Sequence, residues 1–368
     1  MLISSGVPYL MGGSIQGRIL SLDAIVTTLA GPAQGSTVSG DTDEIGNNAR
    51  FYAPEGITTD GTNLYIADYQ NNKIRKIVIS TGAVTTLAGP APGSTALGDI
   101  DATGNSSRFN NPCGITTDGA NLYVADYANN KIRKIVISTS AVTTIAGPAQ
   151  GSTTSGDTDG TGNEARFTLP HGITTDGTNL YVADMSNNKI RKIVISTGVV
   201  TTLAGPAQGS TATGDTDATG NSALFNRPIS LTTDGANLFV SDFNNNKIRK
   251  ITISTGAVTT LAGPAQGTTT SGDTDGTGND ARFSGPHGLT SDGTDLFVAD
   301  FNNHKIRKIV ISTGIVTTFA GPAQGSTASG DTDATGNAAR FNVPTYITTD
   351  GTNLYITDFG NNKIRKIE

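Results

Sequence analysis

The chain has 368 residues, of which 46 are glycine, 35% are hydrophobic and only 6% are aromatic, a composition typical of a protein made mostly of turns and narrow strands. Its formal net charge of −6 argues against a nucleic acid or an anionic membrane surface as the partner, because both need clustered positive charge. The single cysteine, Cys113, excludes an intramolecular disulfide framework, and no apolar run is long enough to predict membrane insertion.

The first segment, residues 1–24, lacks the repeat that fills the remainder of the chain, and we expect it to form an N-terminal tail or cap. It also lacks the basic start and the small-residue cleavage pattern of a secretory signal. The next stretch, IVTTLAG at residues 25–31, matches residues 83–89 in register. It is therefore predicted to be the fourth strand of a unit whose first three strands lie elsewhere in the chain.

A repeated unit follows, and its spacing never changes. The Asp that ends its LYIAD segment recurs every 58 residues (126 − 68), as Asp68, Asp126, Asp184, Asp242, Asp300 and Asp358. Self-similarity at a fixed period is the signature of repeat architectures, in which each unit buries its apolar face against its neighbours.

Each unit is predicted to be a four-stranded antiparallel meander. In the first unit, runs rich in β-branched and apolar residues occupy residues 57–59, 64–67, 73–79 and 83–87. Between them lie pairs that favour tight turns, Asp60-Gly61, Asn71-Asn72 and Thr81-Gly82. Six such units predict an all-β fold, a six-bladed β-propeller in one domain over residues 25–368. The last unit stops at its third strand, so the N-terminal strand is predicted to complete it and close the ring.

The elements P-x-G-I-x-x-D, N-L-Y-[IV]-A-D and N-N-K-I-R-K-I resemble NHL repeats, and the resemblance covers nearly the whole of residues 25–368. The G-D-x-D-x-T-G-N-x-A-R-F run at residues 156–167 is similar to the linkers of bacterial NHL arrays. This resemblance implies a propeller used for binding and an extracytoplasmic location, secreted or periplasmic.

A long linker precedes each blade, and its residues suggest two roles. A Phe ends every linker and is predicted to wedge between neighbouring blades (Phe51, Phe109, Phe167, Phe225, Phe283 and Phe341). Within the linkers, Asp41, Asp43 and Asn47, like Asp157, Asp159 and Asn163, resemble a minimal calcium loop. The favoured interpretation is that these side chains only cap their own backbone, because the bidentate Glu of an EF-hand is missing.

Two recurrent charged motifs are assigned structural roles. The Lys-Ile-Arg-Lys run alternates with Ile on a strand, so its basic residues are predicted to form a solvated face. The Asp that ends LYIAD is predicted to bond the following turn. Neither is expected to be catalytic, because both occur in all six blades and a reaction site needs residues that break the symmetry.

The blades differ from one another mainly at two places, the positions flanking a recurrent Pro and the pair that follows LYIAD. In a meander, the start of the first strand and the turn between the second and third strands lie at one end, so both sets are predicted to ring one mouth of the central channel. Blades four and six also replace a recurrent Gly, by Ser230 and Tyr346. The predicted binding face comprises Tyr69, Gln70, Tyr127, Met185, Arg227, Phe243, Phe301, Tyr346 and Phe359.

A metal site is a further hypothesis at the same mouth. Glu55, His171 and His287 occupy one position in blades one, three and five, since 171 − 55 and 287 − 171 both equal 116. Side chains related by the threefold of the ring can converge on its axis, and two imidazoles with a carboxylate form a zinc or iron set. The alternative is that both histidines only hydrogen-bond at a polar opening.

The contexts Pro170-His171-Gly172 and Pro286-His287-Gly288 resemble those of the zinc histidines in the peptidyl-hydroxyglycine amidating lyases, which are six-bladed propellers. The third ligand departs from that pattern, and Glu55 or Cys113 would have to supply it.

The sequence therefore favours a non-enzymatic scaffold that presents the channel mouth to a protein, peptide or glycan partner. Two alternatives stay open: a metal-dependent lyase or hydrolase with its site at the mouth, and a structural component of a larger assembly. The cofactor candidates are zinc at the mouth and calcium in the linkers.

Overall fold

A computed structural model describes residues 24–368, and in these residues the regular structure consists of β-strands and one-turn 3-10 helices. The strands form six antiparallel sheets in chain order. The inner strand of each sheet contacts the inner strands of the sheets before and after it, and the contacts run from the sixth sheet back to the first. The chain is thus a closed six-bladed β-propeller, as the 58-residue period predicted.

From the channel outwards, the strands of the six blades are as follows. Blade one comprises Pro54–Thr59, Asn63–Asp68, Lys73–Val78 and Ala83–Ala88. Blade two comprises Pro112–Thr117, Asn121–Asp126, Lys131–Val136 and Ala141–Ala146. Blade three comprises Pro170–Thr175, Asn179–Asp184, Lys189–Val194 and Val199–Ala204. Blade four comprises Pro228–Thr233, Asn237–Asp242, Lys247–Thr252 and Ala257–Ala262. Blade five comprises Pro286–Ser291, Asp295–Asp300, Lys305–Val310 and Ile315–Ala320. Blade six comprises Pro344–Thr349, Leu354–Asp358, Lys363–Ile367 and Val26–Ala30.

Each blade has two 3-10 turns, one at the end of its linker and one between its second and third strands. The first set is Gly46–Asn48, Gly104–Ser106, Gly162–Glu164, Gly220–Ser222, Gly278–Asp280 and Gly336–Ala338. The second set is Tyr69–Asn71, Tyr127–Asn129, Met185–Asn187, Phe243–Asn245, Phe301–Asn303 and Phe359–Asn361. Asn72 and its equivalents end the second set in the left-handed region, which Asn tolerates, and His304 takes this place in blade five.

Two blades have one strand more than predicted. Gly160–Thr161 pairs with the outer strand of blade three, and Gly276–Thr277 pairs with that of blade five, so these sheets have five strands. In the other four blades the linker makes a single bridge at the same place, such as Ile45 to Ala83. The linkers thus cover the outer edges that would otherwise be open to pairing with another chain.

The ring closes through the N-terminal strand. Val26 pairs with Ile367, and the N–H and C=O groups of Ile25 bond those of Glu368 at 3.1 and 3.0 Å. The outer strand of blade six is therefore supplied by the start of the chain, as predicted. The predicted N-terminal tail lies outside the described residues, apart from Ala24.

Phe51 and its equivalents lie between blades. Phe51 is buried in a cluster that joins Ile57 and Leu64 of blade one to Tyr355 and Ile364 of blade six. The prediction of an inter-blade wedge is confirmed. The guanidinium of Arg75 also lies 5.2 Å from the centre of the Phe51 ring, a cation–π distance that recurs in all six blades.

The prediction that the Lys-Ile-Arg-Lys run is a solvated face is wrong for Lys73 and Arg75, because the linkers cover this side of the strand and bury both residues completely. Arg75 pairs with the buried Asp68 at 2.8 Å and with Asp43 of the linker at 2.6 Å, and Lys73 pairs with Asp41 at 2.6 Å. Both pairings recur in every blade.

The interpretation that the linker carboxylates only cap their own backbone is also wrong. Asp41 and Asp43 form ion pairs with the buried side chains of Lys73 and Arg75. Asp41 also accepts a hydrogen bond from the N–H of Gly93 in the next linker at 2.7 Å. Asp68 does bond the turn, through the side-chain amide of Asn71, but it is also an ion-pair partner of Arg75.

Candidate functional site at the channel mouth

The inner strand of every blade carries a β-bulge just after its first residue. In blade one Pro54 pairs with Asp68, but Ile57 pairs with Ile66, so the inner strand has one residue more than its partner. The same register shift occurs in the other five blades. Bulges re-aim side chains, and here they occur at the position of Glu55, His171 and His287.

The residue after this position is glycine in four blades because the inner strands approach each other closely. A Cβ on Gly56 would lie 2.2 Å from the carbonyl oxygen of Cys113 in the next blade. In blade six this residue is Tyr346, whose N–H bonds the hydroxyl of Thr357 at 2.8 Å. In blade four Ser230 bonds Ser241 in the same way at 2.9 Å.

The two hydroxyl residues stand where the other blades have alanine (Ala67, Ala125, Ala183 and Ala299). Each loss of the glycine is thus accompanied by a hydroxyl on the neighbouring strand. The sequence contained this signal, but it becomes meaningful only when the register of the two strands is known.

The side chains that follow LYIAD form a rim around the mouth, which we call the aromatic rim (Tyr69, Tyr127, Met185, Phe243, Phe301 and Phe359). They line a cavity of about 190 Å³ together with Glu55, Cys113, His171, Ile229, His287 and Arg227. Neighbouring rings of the rim meet edge to face, with centroids 6.4 Å apart for Tyr69 and Tyr127 and 6.2 Å apart for Phe243 and Phe301.

Most of the predicted binding face lies in this cavity wall, and two of its members do not. Gln70 is exposed outside the wall, since it is the second residue of its turn. Tyr346 is buried below the rim, where it contacts both histidines.

The structure brings the three predicted metal-ligand side chains together. One potential ligand atom from each of Glu55, His171 and His287 lies within 4.8 Å of the others, and all three residues are buried. The imidazole centroids are 5.3 Å apart. The Nδ1 atom of His171 lies 2.8 Å from the hydroxyl of Tyr346. Oε2 of Glu55 and Nδ1 of His287 are buried and have no hydrogen-bond partner, at a cost of about 1–3 kcal/mol for each unsatisfied group.

Burial controls the protonation of this cluster. It raises the pKa of Glu55 to about 8. Burial lowers the pKa of His171 to about 3, and the positive charge of Arg227 lowers it further. A hydrogen bond with the Ile229 main chain acts in the opposite direction and raises this pKa. Burial and the neighbouring His171 likewise hold the pKa of His287 well below its usual range. Near neutral pH the cluster is therefore uncharged, although it consists of three groups that readily bind cations.

Cys113, the other ligand candidate, lies in the cavity wall but outside this cluster. Its thiol points to the carbonyl oxygen of Asn111 at 3.6 Å, and burial holds its pKa well above the usual value. Arg227 is exposed at the mouth, with Nη2 3.7 Å from the sulfur of Met185. The mouth therefore combines an aromatic rim, one cationic side chain and a buried His-His-Glu floor.

A family model for the NHL repeat matches residues 283–309, which cover the first two strands and most of the third strand of blade five and include His287. The chain is an NHL-repeat β-propeller. The NHL-repeat propeller is 28% identical over 314 residues to NHL repeat-containing protein 2 of Homo sapiens, a match that covers 77% of this chain and 42% of that protein.

The NHL-repeat propeller is also 30% identical over 281 residues to the protein SUPPRESSOR OF QUENCHING 1, chloroplastic, of Arabidopsis thaliana, covering 73% of this chain and 26% of that one. It thus spans less than half the length of the curated relatives it matches. Among solved structures, an auxiliary nutrient binding protein from Bacteroides ovatus has a TM-score of 0.67 at 17% identity, with 94% of this chain and 77% of that chain covered. This likeness supports the fold.

In the described part of the chain, no helix has the length and apolar character needed to span a membrane.

Proposed function

We propose that the NHL-repeat propeller is a binding scaffold whose ligand site is the aromatic rim and the cavity beneath it. The observation that carries the proposal is the composition of the rim: five of six pseudo-symmetric positions hold an aromatic residue and the sixth holds Met185. Apolar residues that recur in the core of the blades are explained by packing. The rim residues lie instead at the open end of the channel, where large apolar side chains usually mark an interaction site.

The size of the cavity limits what can enter it. At about 190 Å³ it is smaller than the pockets of roughly 300–1,000 Å³ that hold whole drug-sized ligands. We therefore propose that it admits one side chain of a protein or peptide, or one ring of a glycan, while the rest of the partner rests on the rim. Aromatic rings can stack on a sugar ring or on an apolar side chain, and Arg227 adds a positive charge beside them.

The solved propellers of similar fold include one described as an auxiliary nutrient binding protein, which is compatible with a ligand-binding role here. An extracytoplasmic location belongs to the same proposal, and fractionation of the producing cells would test it.

The experiment starts by screening the immobilised chain against a glycan array and a peptide display library, and it then measures the affinity of each hit by calorimetry. Changing Tyr69, Tyr127 and Phe243 together to Ala removes three ring contacts, each worth about 0.5–1.5 kcal/mol, so the affinity should fall by about 100-fold with an unchanged circular dichroism spectrum. Tyr52→Ala is the matched control, since Tyr52 is an exposed aromatic residue outside the cavity wall. Binding that survives the triple change would place the ligand site elsewhere.

A second candidate function, a metal-dependent lyase or hydrolase, is favoured by one observation, the convergence of Glu55, His171 and His287 at the floor of the cavity. Such an enzyme needs a metal with an open coordination position facing the substrate. This candidate therefore requires a metal at the floor.

A further inference from the structure

The floor of the cavity is formed by one position of the inner strand, and the residue at this position differs from blade to blade. The first residue after the recurrent Pro lies in the β-bulge of every blade, and in blades one to five it lines the cavity. Blades two and four place Cys113 and Ile229 there, whereas blades one, three and five place Glu55, His171 and His287. In blade six the equivalent Thr345 is fully buried, and its hydroxyl bonds the hydroxyl of Thr357 at 2.9 Å. Alternate blades are related by the threefold of the ring, so the side chains of blades one, three and five approach the axis from three directions.

We infer that Glu55, His171 and His287 form a mononuclear site for a divalent transition metal, with zinc as the favoured ion. One potential ligand atom of each residue lies within 4.8 Å of the others. Two ligands of one zinc ion, each at about 2.0–2.1 Å from it, lie about 3.4 Å apart in a tetrahedron. The distances between the three ligand atoms thus need to shorten by about 1 Å to reach this geometry. Small rotations about the side-chain torsion angles provide such a change.

The unpaired atoms of the floor are an independent observation that points to a ligand. Oε2 of Glu55 and Nδ1 of His287 are buried without any hydrogen-bond partner, although buried polar atoms are nearly always paired. Within residues 24–368, Glu55 also takes part in no ion pair, so a positive ion at the floor would satisfy both the carboxylate and the imidazole.

Tyr346 is placed to orient one ligand. Its hydroxyl lies 2.8 Å from Nδ1 of His171, and the two rings are parallel within 7° with centroids 5.9 Å apart. A hydrogen bond at one imidazole nitrogen fixes the ring and leaves the other nitrogen, Nε2, for a metal. The Thr357 hydroxyl holds the main chain of Tyr346 on both sides, donating to its carbonyl at 3.2 Å and accepting from its N–H at 2.8 Å.

The donor set selects the class of ion. Two imidazole nitrogens and one carboxylate suit Zn²⁺, Fe²⁺ or Co²⁺, whereas Ca²⁺ requires six to eight oxygen ligands, which the floor does not provide. Three protein ligands leave at least one coordination position for water or for a group that enters through the aromatic rim.

The test uses the full chain without an affinity tag, freed of metal by dialysis against a chelator. Titration with Zn²⁺ in a calorimeter should give a stoichiometry of about one ion per chain, confirmed by elemental analysis. Binding should raise the thermal midpoint, because the ion binds only the folded state. Co²⁺ should give visible absorption bands that report the geometry of the site.

His171→Ala, His287→Ala and Glu55→Gln should each weaken Zn²⁺ binding by about 100-fold or more, whereas Tyr346→Phe should weaken it by about 10-fold as a positioning residue. His304→Asn is the matched control: it removes the third histidine, which lies in a turn, and restores the Asn of the other blades, so binding should be unchanged. Circular dichroism of each variant checks that the ring still forms.

Two results would overturn the metal site: absence of binding of Zn²⁺, Fe²⁺ and Co²⁺ below about 100 µM in the wild-type chain, or undiminished binding in a folded His171→Ala/His287→Ala variant. The metal site does not depend on the binding role proposed above, because its readout is the ion alone. Loss of glycan or peptide binding in the rim variant with zinc binding intact separates the two.

Discussion

Changing Arg133 to Met should destabilise the propeller far more than any ordinary change of a basic residue on a strand. Arg133 is fully buried and pairs with Asp126 at 2.6 Å and with Asp101 at 2.7 Å. Met preserves most of the volume of the side chain but leaves Asp126, which is also fully buried, without its cation.

The size of the effect follows from the carboxylate that remains. Removing one partner of a buried ion pair costs about 3–5 kcal/mol. Asp126 can avoid carrying an unpaired charge by taking up a proton. Protonation costs about 1.36 kcal/mol for each pH unit above the ordinary Asp pKa of about 3.9, and pH 7 lies roughly three units above it. This route limits the loss to about 4 kcal/mol, and the loss of the cation–π contact of Arg133 with Phe109, 5.1 Å from the ring centre, adds about 0.5–2 kcal/mol.

Urea unfolding followed by circular dichroism measures the change in free energy of unfolding. Lys134→Met is the matched control, because Lys134 is the next residue of the same strand and is only half-buried, and we expect it to change stability by less than about 0.5 kcal/mol. Adding Asp126→Asn to Arg133→Met should recover at least about 1 kcal/mol, since no buried charge is then left. If Arg133→Met and Lys134→Met are equally mild, the buried ion pairs do not stabilise the blades and the reasoning is refuted.

Two further perturbations act on the ring as a whole. Deleting residues 1–31 removes Val26–Ala30, the outer strand of blade six, and should sharply lower the thermal midpoint or cause aggregation. Deletion of residues 1–23 is the control. An unchanged thermal midpoint after deletion of residues 1–31 would contradict closure of the ring through this strand. Acid should also unfold the ring cooperatively. Partial burial alone would raise the pKa of Asp41, but hydrogen bonds from Lys73 and a main-chain N–H hold it below 3.8, and the five equivalent linker carboxylates shift likewise. A carboxyl group whose pKa is lowered by folding stabilises the protein at pH values above its pKa in the unfolded chain, and this stability is lost as the pH falls through its pKa in the folded chain. Burial raises the pKa of Asp68 and its equivalents, so these groups act in the opposite direction at higher pH. Denaturant unfolding at stepped pH should therefore lose stability steeply only below about pH 4, and a loss that is already complete at pH 5 would argue against the linker pairs.

Much of the fold was predictable from the spacing of repeated residues. The 58-residue period determines the number of blades, and the match of residues 25–31 to a fourth strand predicts how the ring closes. The same arithmetic predicted that Glu55, His171 and His287 converge, because equal spacing along the chain becomes equal angular spacing in a ring. The ligand, the location and the role of residues 1–24 stay predictions.

The burial of Lys73 and Arg75 could not be read from alternation along one strand. Alternation predicts one solvated face only if the sheet is open to water on that side, and here the linkers cover that side of the strand. A signal was nevertheless present, since Asp41 and Asp43 precede Lys73 and Arg75 by 32 residues and the same spacing recurs in every blade. The contact of Tyr346 with His171 had no such signal, because it crosses the channel and depends on the width of the ring.

The way the ring closes has a consequence for biosynthesis. Val26–Ala30 leaves the ribosome first among the described strands, yet its partner, Lys363–Ile367, is made last. The sequence Lys-Ile-Arg-Lys-Ile occurs in all six blades, so side chains alone do not direct the early strand to the correct partner. In the first five blades a strand from the same hairpin meander reaches that edge sooner, because closing a short loop is faster than closing a long one. The N-terminal strand therefore pairs with the third strand of blade six because that strand has no other partner at its outer edge. Until blade six has been synthesised, the N-terminal strand stays unpaired.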